Sequence, residues 1–410
     1  MACTATYNTT QQTFGAYGVY NNFFAFIENA SGSTTNLKFR IRVTDADSNQ
    51  YTLDVVPNAN NDAIINPLIR LRDTYFKSDY SGQTESVNAE GYNEVQIEIG
   101  EISGTPATFQ GYDTDDTFII YNGYEKDNAN QLNYRIPEWY DTTPYLLPKT
   151  KKEIYLLSTD TELLSMPYKM NLYDVGEPLD TYNLKNIVFE YYQYSSPLDI
   201  LLSTSTIDLT ARPAFSGSPA GYWNFNINPP NLHDGTTDYC KVYAQYEYSG
   251  DSSLTNSEVL RVYPLACKPK YERYRLRWIN RYGGEEYENF EMRATESISI
   301  TKGKKILSDG VDYDTTTFGA ILDVNNPQIS EFGKSYQRNF VLRSDWLTQP
   351  QIESLEELYT SPAVLMFDPN DDLFPVIVED TKYEIKDVKQ GLKKVEVRVS
   401  IANRQPTQLQ

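Results

Sequence analysis

Histidine is almost missing from this 410-residue chain, with His233 the only one. No His pair exists to hold a transition metal, and a Ser-His-Asp triad would depend on one residue inside Asn231-Leu232-His233-Asp234-Gly235. A loop histidine held by local hydrogen bonds is the favoured reading over a catalytic base. Cysteine is scarce as well: Cys3, Cys240 and Cys267 are odd in number, widely spaced and without a Cys-x-x-Cys. That spacing supports neither a disulfide framework nor a zinc site. A Cys240–Cys267 bridge stays open, and free thiols buried as small hydrophobes are favoured. No apolar run approaches the roughly 18 residues of a membrane span. Met1-Ala2-Cys3-Thr4 leads straight into polar residues, so no secretory leader is expected. Walker loops, dinucleotide fingerprints and Gly-x-Ser-x-Gly elbows are missing too. Basic residues are outnumbered, 36 Lys plus Arg against 56 Asp plus Glu, for a net charge of −20. Such a chain is soluble and poorly suited to wrapping nucleic acid.

What the chain has is tyrosine, 34 of them against five methionines. Tyr suits strand faces and interfaces with one wet edge, so most of these residues are expected to pave sheets and some to form protein contacts. The period-2 alternation of strands recurs throughout. Leu37, Phe39, Ile41 and Val43 alternate with polar residues, and the chain turns at Asp45-Ala46-Asp47-Ser48-Asn49 into Tyr51, Leu53 and Val55, a hairpin signal. Val95, Ile97 and Ile99 form another such run. Phe118-Ile119-Ile120-Tyr121 leads to Asn122-Gly123, a type I′ turn pair.

The expected fold class is mainly β, as tandem β-sandwich domains of immunoglobulin-like or jelly-roll-like type with one short helix in the C-terminal domain. Residues 1–142 form the first sandwich. Pro137, Pro144 and Pro148 then punctuate a link into an immunoglobulin-like domain over 143–268. Its strands include Glu153–Leu157, Asn186–Tyr192, Lys241–Tyr248 and Glu258–Tyr263. The third domain spans 269–405, and 406–410 is a loose tail. Its helix, about 349–360, starts at a capping box, Thr348-Gln349-Pro350-Gln351, and shares one face among Ile352, Leu355, Leu358 and Tyr359.

Candidate chemistry is thin. Asp45-x-Asp47-x-Asn49 resembles the start of a calcium loop, yet Gln50 and Val56 stand where Gly and Glu are needed. Asp113-Thr114-Asp115-Asp116 and Asp368-Pro369-Asn370-Asp371-Asp372 carry enough oxygen for Ca²⁺, but turn acids explain them better. Glu285, Glu286 and Glu288 are the nearest thing to paired carboxylates for glycoside hydrolysis, and read better as a solvated turn or an interface facing Arg. Lys302-Gly303-Lys304-Lys305 and the lysines of 389–394 look like intersubunit charge partners. The reading is therefore of a non-enzyme with no catalytic, metal or cofactor residues.

Tyr274, Leu276 and Trp278 alternate with Arg273, Arg275 and Arg277, a half-buried strand, and lead into Ile279-Asn280-Arg281-Tyr282-Gly283-Gly284 and an acidic, aromatic run ending at Phe290. This stretch resembles one in structural proteins of tailed phages that infect Bacteroidota, including the crAss-like phages. Ser344-Asp345-Trp346-Leu347 with Leu355-Glu356-Glu357-Leu358-Tyr359-Thr360-Ser361-Pro362 resembles a second element of those proteins. Leu147-Pro148-Lys149 leading to Glu153–Leu156 is a fainter one. The similarity covers about residues 145–405. Glu285-Glu286-Tyr287-Glu288-Asn289 departs from the more aromatic loop of the relatives.

The resemblance implies a virion protein of the tail barrel or head-tail connector, made in the host cytoplasm and present as a cyclic homo-oligomer such as a dodecamer. Its partners would be neighbouring tail, portal or connector proteins, with DNA passing an acidic lumen unbound. Trp278 is expected to anchor the third domain's core, Gly283 and Gly284 to hold the loop, and Trp346 and the helix face through Tyr359 to pack on the sheet. The rival readings are a tail-tip adhesin that binds carbohydrate or a receptor, and a tail-borne hydrolase.

Overall fold

Period-2 alternation builds most of this protein, because side chains on a strand point to opposite faces and one face must find a core. The computed structural model describes residues 3–7, 17–18, 25–29, 32, 35–45, 48–71, 85–88, 92–121, 149, 151–167, 169–172, 180–209, 222–248, 250, 252–265, 269–280, 284–306, 311–314, 316, 319–322, 329–361, 363–380, 392–402 and 405–406. Asn122-Gly123, Pro137, Pro144, Pro148, Cys267, Arg281, Tyr282, Gly283 and the expected boundary at 142 lie outside them. The fold is mainly β, with several antiparallel sheets, a short α-helical stretch near the C-terminus and 3-10 turns at Pro67–Arg70 and Pro230–His233.

The N-terminal part contributes β1 (Cys3–Tyr7), β2 (Tyr17–Gly18), β3 (Ala25–Asn29), β4 (Lys38–Thr44) and β5 (Gln50–Val55). It continues with β6 (Ala63–Ile65), β7 (Glu85–Asn88), β8 (Tyr92–Ser103) and β9 (Thr108–Tyr121). A five-stranded sheet, β2-β9-β8-β4-β5, and a three-stranded sheet, β1-β3-β6, share one core. Phe39, Ile41, Val43, Val95, Ile97 and Ile99 fill it from one side and Cys3, Ala25 and Ile27 from the other. The β4–β5 hairpin pairs as its sequence predicts, Ile41 opposite Leu53. Asp45 closes its turn, accepting from Asn49 N at 2.8 Å and Asn49 Nδ2 at 3.0 Å. Gly100 sits at a bulge between β8 and β9, where an added Cβ would meet Gly111 O at 2.1 Å.

The middle part holds β10 (Glu153–Leu156), β11 (Leu163–Pro167), β12 (Lys169–Leu172), β13 (Asp180–Gln193) and β14 (Ile200–Asp208). Then come β15 (Tyr222–Asn226), β16 (Tyr239–Tyr248), β17 (Leu254–Asn256) and β18 (Leu260–Pro264). The larger sheet runs β10-β18-β16-β13-β12, with β14 on β13 and β17 on β16. The smaller one runs β11-β15-β7. Ile187, Phe189, Tyr191, Val242, Ala244 and Val262 from the first meet Leu164, Met166 and Phe225 from the second. Both cores fall in one unit, Met1–Lys268 with Trp278–Tyr287 and Thr360–Pro362.

The second unit is Pro269–Arg277, Glu288–Tyr359 and Ala363–Gln410. The C-terminal part of the chain holds β19 (Tyr274–Ile279) and β20 (Glu285–Phe290), each divided between the two units, and then β21 (Thr295–Ile306), β22 (Val311–Asp314), β23 (Gly319–Leu322) and β24 (Ile329–Thr348). They are followed by β25 (Val364–Phe367), β26 (Leu373–Val378), β27 (Leu392–Ile401) and β28 (Gln405–Pro406). The strand order is β20-β19-β25-β26-β27-β24-β21, with β28 on β24; β22 and β23 pair alone. In β27, Val395, Val397, Val399 and Ile401 are buried while Glu396 and Arg398 are exposed, as the alternation predicts.

The helix expected over 349–360 is present as α1 (Gln349–Ser354) and α2 (Glu356–Thr360), with a single-residue turn at Leu355 between them. Gln351 Oε1 caps α1 by accepting from Thr348 N and Thr348 Oγ1, both at 2.9 Å.

Candidate interaction surface

On the middle sheet the residues that face away from the core form one row across five strands. Tyr192 pairs Leu201 on one side and Tyr239 on the other, and Tyr155 pairs Tyr263. Cross-strand partners share a face, so Leu201, Tyr192, Tyr239, Tyr263 and Tyr155 stand side by side. Ring centroids are 5.1 Å apart for Tyr192–Tyr239, 5.8 Å for Tyr239–Tyr263 and 5.0 Å for Tyr155–Tyr263. The outer two pairs are stacked nearly parallel, at 6° and 18°. Strand spacing is about 4.8 Å, so parallel rings at this separation stand on edge and turn their faces to each other. Tyr194 leans on Tyr239 at 5.3 Å from the loop after β13.

Acids hold the hydroxyls. Glu190 accepts from Tyr192 Oη at 2.8 Å and from Tyr243 Oη at 2.9 Å, while Asp199 accepts from Tyr239 Oη at 2.7 Å. Lys241 Nζ lies 4.2 Å from the Tyr192 ring centre. Burial first, then the hydrogen bond to Glu190, pushes the phenols of Tyr192 and Tyr243 up to about 12. Burial and Asp199 raise Tyr239 further.

The row ends on an apolar edge. Leu198 is 79% exposed, and Ile200, Leu201 and Leu202 are exposed beside it. All of β14 is exposed except Ile207, which is half-buried against the core. Among the described residues β14 pairs only β13, so its outer edge is open. The second unit has a counterpart in β21, which among the described residues pairs only β24 and carries exposed Ile298 and Ile300.

The resemblance-bearing stretch is buried rather than surface-forming. β19 was expected half-buried, but all six residues are buried, Arg275 and Arg277 included, because both faces of the strand are covered. Glu285 and Glu286 do not make a solvated turn. They belong to β20 and are buried, while Glu288 is half-buried. Lys149 explains the acids: its Nζ bonds Glu162 Oε1 at 2.5 Å and lies 3.9 Å from Glu286 Oε2 and 5.2 Å from the Tyr287 ring. Tyr287 Oη donates to Glu285 Oε2 at 2.7 Å, and Lys151 Nζ donates to Tyr287 O at 2.6 Å. Lys149, Glu162 and Glu286 are all screened from water, so these carboxylates do not line an open cleft.

Trp278 is fully buried and falls in the first unit; Lys151 Nζ stands 5.7 Å from its ring. Asn280 is buried and closes the β19–β20 loop: its N donates to Gly284 O at 2.8 Å, and Gly284 N donates to its Oδ1 at 2.9 Å. Phe290 and Leu355 are buried, and Tyr359 is half-buried. Trp346 was expected to pack on the sheet. It is 55% exposed, with Lys394 Nζ 4.9 Å from its ring, because a register shift between Arg343 and Trp346 interrupts the β24–β27 pairing there.

His233 Nε2 is 2.8 Å from Asn228 Oδ1, and burial lowers its pKa. Cys3 and Cys240 are free and buried, so Cys240 makes no bridge. Asp113–Asp116 lie inside β9 rather than in a turn, whereas Asp368 does hold a turn, accepting from Asn370 N and Asp372 N. Among the described residues no group of three His, Cys, Asp or Glu is placed to hold a metal, and no helix is long and apolar enough to cross a membrane.

No known family profile matches this chain, and no curated protein matches it. The functional reading therefore rests on its surfaces. The Tyr row was not legible beforehand, since its members lie at 155, 192, 239 and 263. The neutral run Ile200–Ile207 was a visible signal that sequence reasoning passed over.

Proposed function

We propose that this chain is a non-enzymatic structural subunit of a virion, forming a ring with copies of itself in a phage tail barrel or head-tail connector. The observation that carries the reading is the apolar group Leu198, Ile200, Leu201 and Leu202, exposed and continuous with the Tyr row. Such a group is unusual on a protein that works alone, and Tyr beside aliphatic residues is the composition of protein contact surfaces. The resemblance at 273–290 and 344–362 supplies the virion and the ring. The net charge of −20 suits a channel that DNA passes without adhering. Native mass spectrometry and electron microscopy of the purified chain test this, together with proteomics of virions. Closed rings and presence in virions are expected; a monomer absent from virions overturns the proposal.

A second reading, a tail-tip adhesin that binds carbohydrate, is favoured by tyrosines lying beside Asp199 and Glu190. Sugar stacking needs open ring faces, however, and the stacked pairs turn theirs toward each other. Glycan binding that disappears in Tyr155→Ala would establish the adhesin.

A further inference from the structure

Building on the ring reading above, we propose that β14 of one copy pairs edge to edge with β21 of a second copy. An open strand edge is a template for any other strand, and proteins commonly guard such edges with charge, proline or shortness. Each of these edges has an unguarded stretch, although β21 turns basic beyond it at Lys302, Lys304 and Lys305. β14 is nine residues long, and Ile200 to Ile207 carries no charge and no proline. Within β21 the same holds from Ser297 to Thr301. By contrast β10, the far edge of the β14 sheet, has four residues and bears the Glu153–Arg261 ion pair.

Charge selects the occupant. Copies of a chain at −20 repel one another, so they meet most readily where neither side carries acid. The two neutral edges are chemically alike: Ser203-Thr204-Ser205-Thr206-Ile207 beside Ser297-Ile298-Ser299-Ile300-Thr301. Hydroxyl and β-branched side chains on adjacent strands pair favourably. In a parallel alignment with Thr204 beside Ile298, the first charge on the C-terminal side of each neutral run is Asp208 on one strand and Lys302 on the other. These have opposite signs. Pairing β14 with itself offers no such match. Main-chain hydrogen bonds would supply the affinity and the alternating side chains the specificity. Because two different edges meet, the contact is head-to-tail, the kind from which closed rings arise.

The test is disulfide trapping in the full-length chain with Thr204→Cys and Ile298→Cys, both at exposed positions. Under mild oxidation the double variant is expected to give a ladder of covalent multimers containing the 204–298 peptide pair, and neither single variant a dimer. A dimer from Thr204→Cys alone would mean a two-fold contact and overturn the proposal. Rings in native mass spectrometry without the 204–298 link also overturn it, while leaving the ring reading intact; a monomer at every concentration defeats both. Thr204→Lys, which guards the edge, should raise the concentration needed for assembly while leaving the melting temperature of the chain unchanged.

Discussion

Lys149 and Glu162 form an ion pair from which water is excluded on both sides, with Glu286 as a second acid near the same ammonium. Glu286 lies 137 positions after Lys149, so this cluster links the start of the middle part to β20. Removing one partner leaves a buried charge uncompensated, at a typical cost of about 3–5 kcal/mol. Lys149→Met should destabilise by that order in urea unfolding. Lys149→Met with Glu162→Leu should recover part of it, and only part, because Glu286 keeps its buried charge. Equal stability of Lys149→Met and the parent chain would refute the role.

Trp278 is buried and Trp346 exposed. Trp278→Ala should cost about 3–5 kcal/mol as a large core side chain is lost. Trp346→Ala should cost under about 1 kcal/mol. Iodide should quench Trp346 readily and Trp278 hardly at all, which difference spectra of Trp346→Phe and Trp278→Phe would measure.

Asn280 satisfies a buried amide, that of Gly284. Asn280→Ala should lose about 1–3 kcal/mol, the cost of leaving a buried donor unpaired. Asn280→Asp keeps the acceptor and should lose less, which thermal melts will compare.

His233 makes a pH prediction with a definite sign. Burial holds its folded pKa below the ordinary 6.5. The unfolded chain therefore takes up the proton first as pH falls, and stability declines from about pH 6.5 downward through the folded pKa. Its lone imidazole resonance should titrate below 6.5 in the folded protein, and His233→Asn should flatten that part of the stability profile.

The thiols of Cys3 and Cys240 are pushed up to about 12, chiefly by burial, and for Cys3 also by Asp113, which accepts its Sγ–H at 3.4 Å. Neither should react with a thiol reagent at pH 8 until the chain unfolds, because the thiolate is the reactive form. Fast labelling of either, located by peptide mapping, would contradict the burial.

The β4–β5 hairpin and the final strand β27 were legible because one face of each meets water, and period-2 alternation records that contrast directly. The same alternation misled at β19: Arg273, Arg275 and Arg277 read as a wet face, yet Arg275 and Arg277 are buried and Arg273 is half-buried. The acids of β20 misled in the same way, since three glutamates suggest solvent until a lysine 137 positions earlier, Lys149 against Glu286, is brought beside them. Trp346 erred in the opposite direction, because a local register shift left a large aromatic outside.

By itself the sequence determined a mainly β protein with one short C-terminal helix, poor in histidine and cysteine and strongly acidic, because alternation, capping and composition are local or additive properties. The tertiary structure decided which faces are covered, that Lys149 and Glu162 share a dry pocket, and that tyrosines at 155, 192, 239 and 263 stand in one row ending on an open edge. Those are cross-strand relations between residues distant in the chain, and strand order, which local pattern does not encode, sets them.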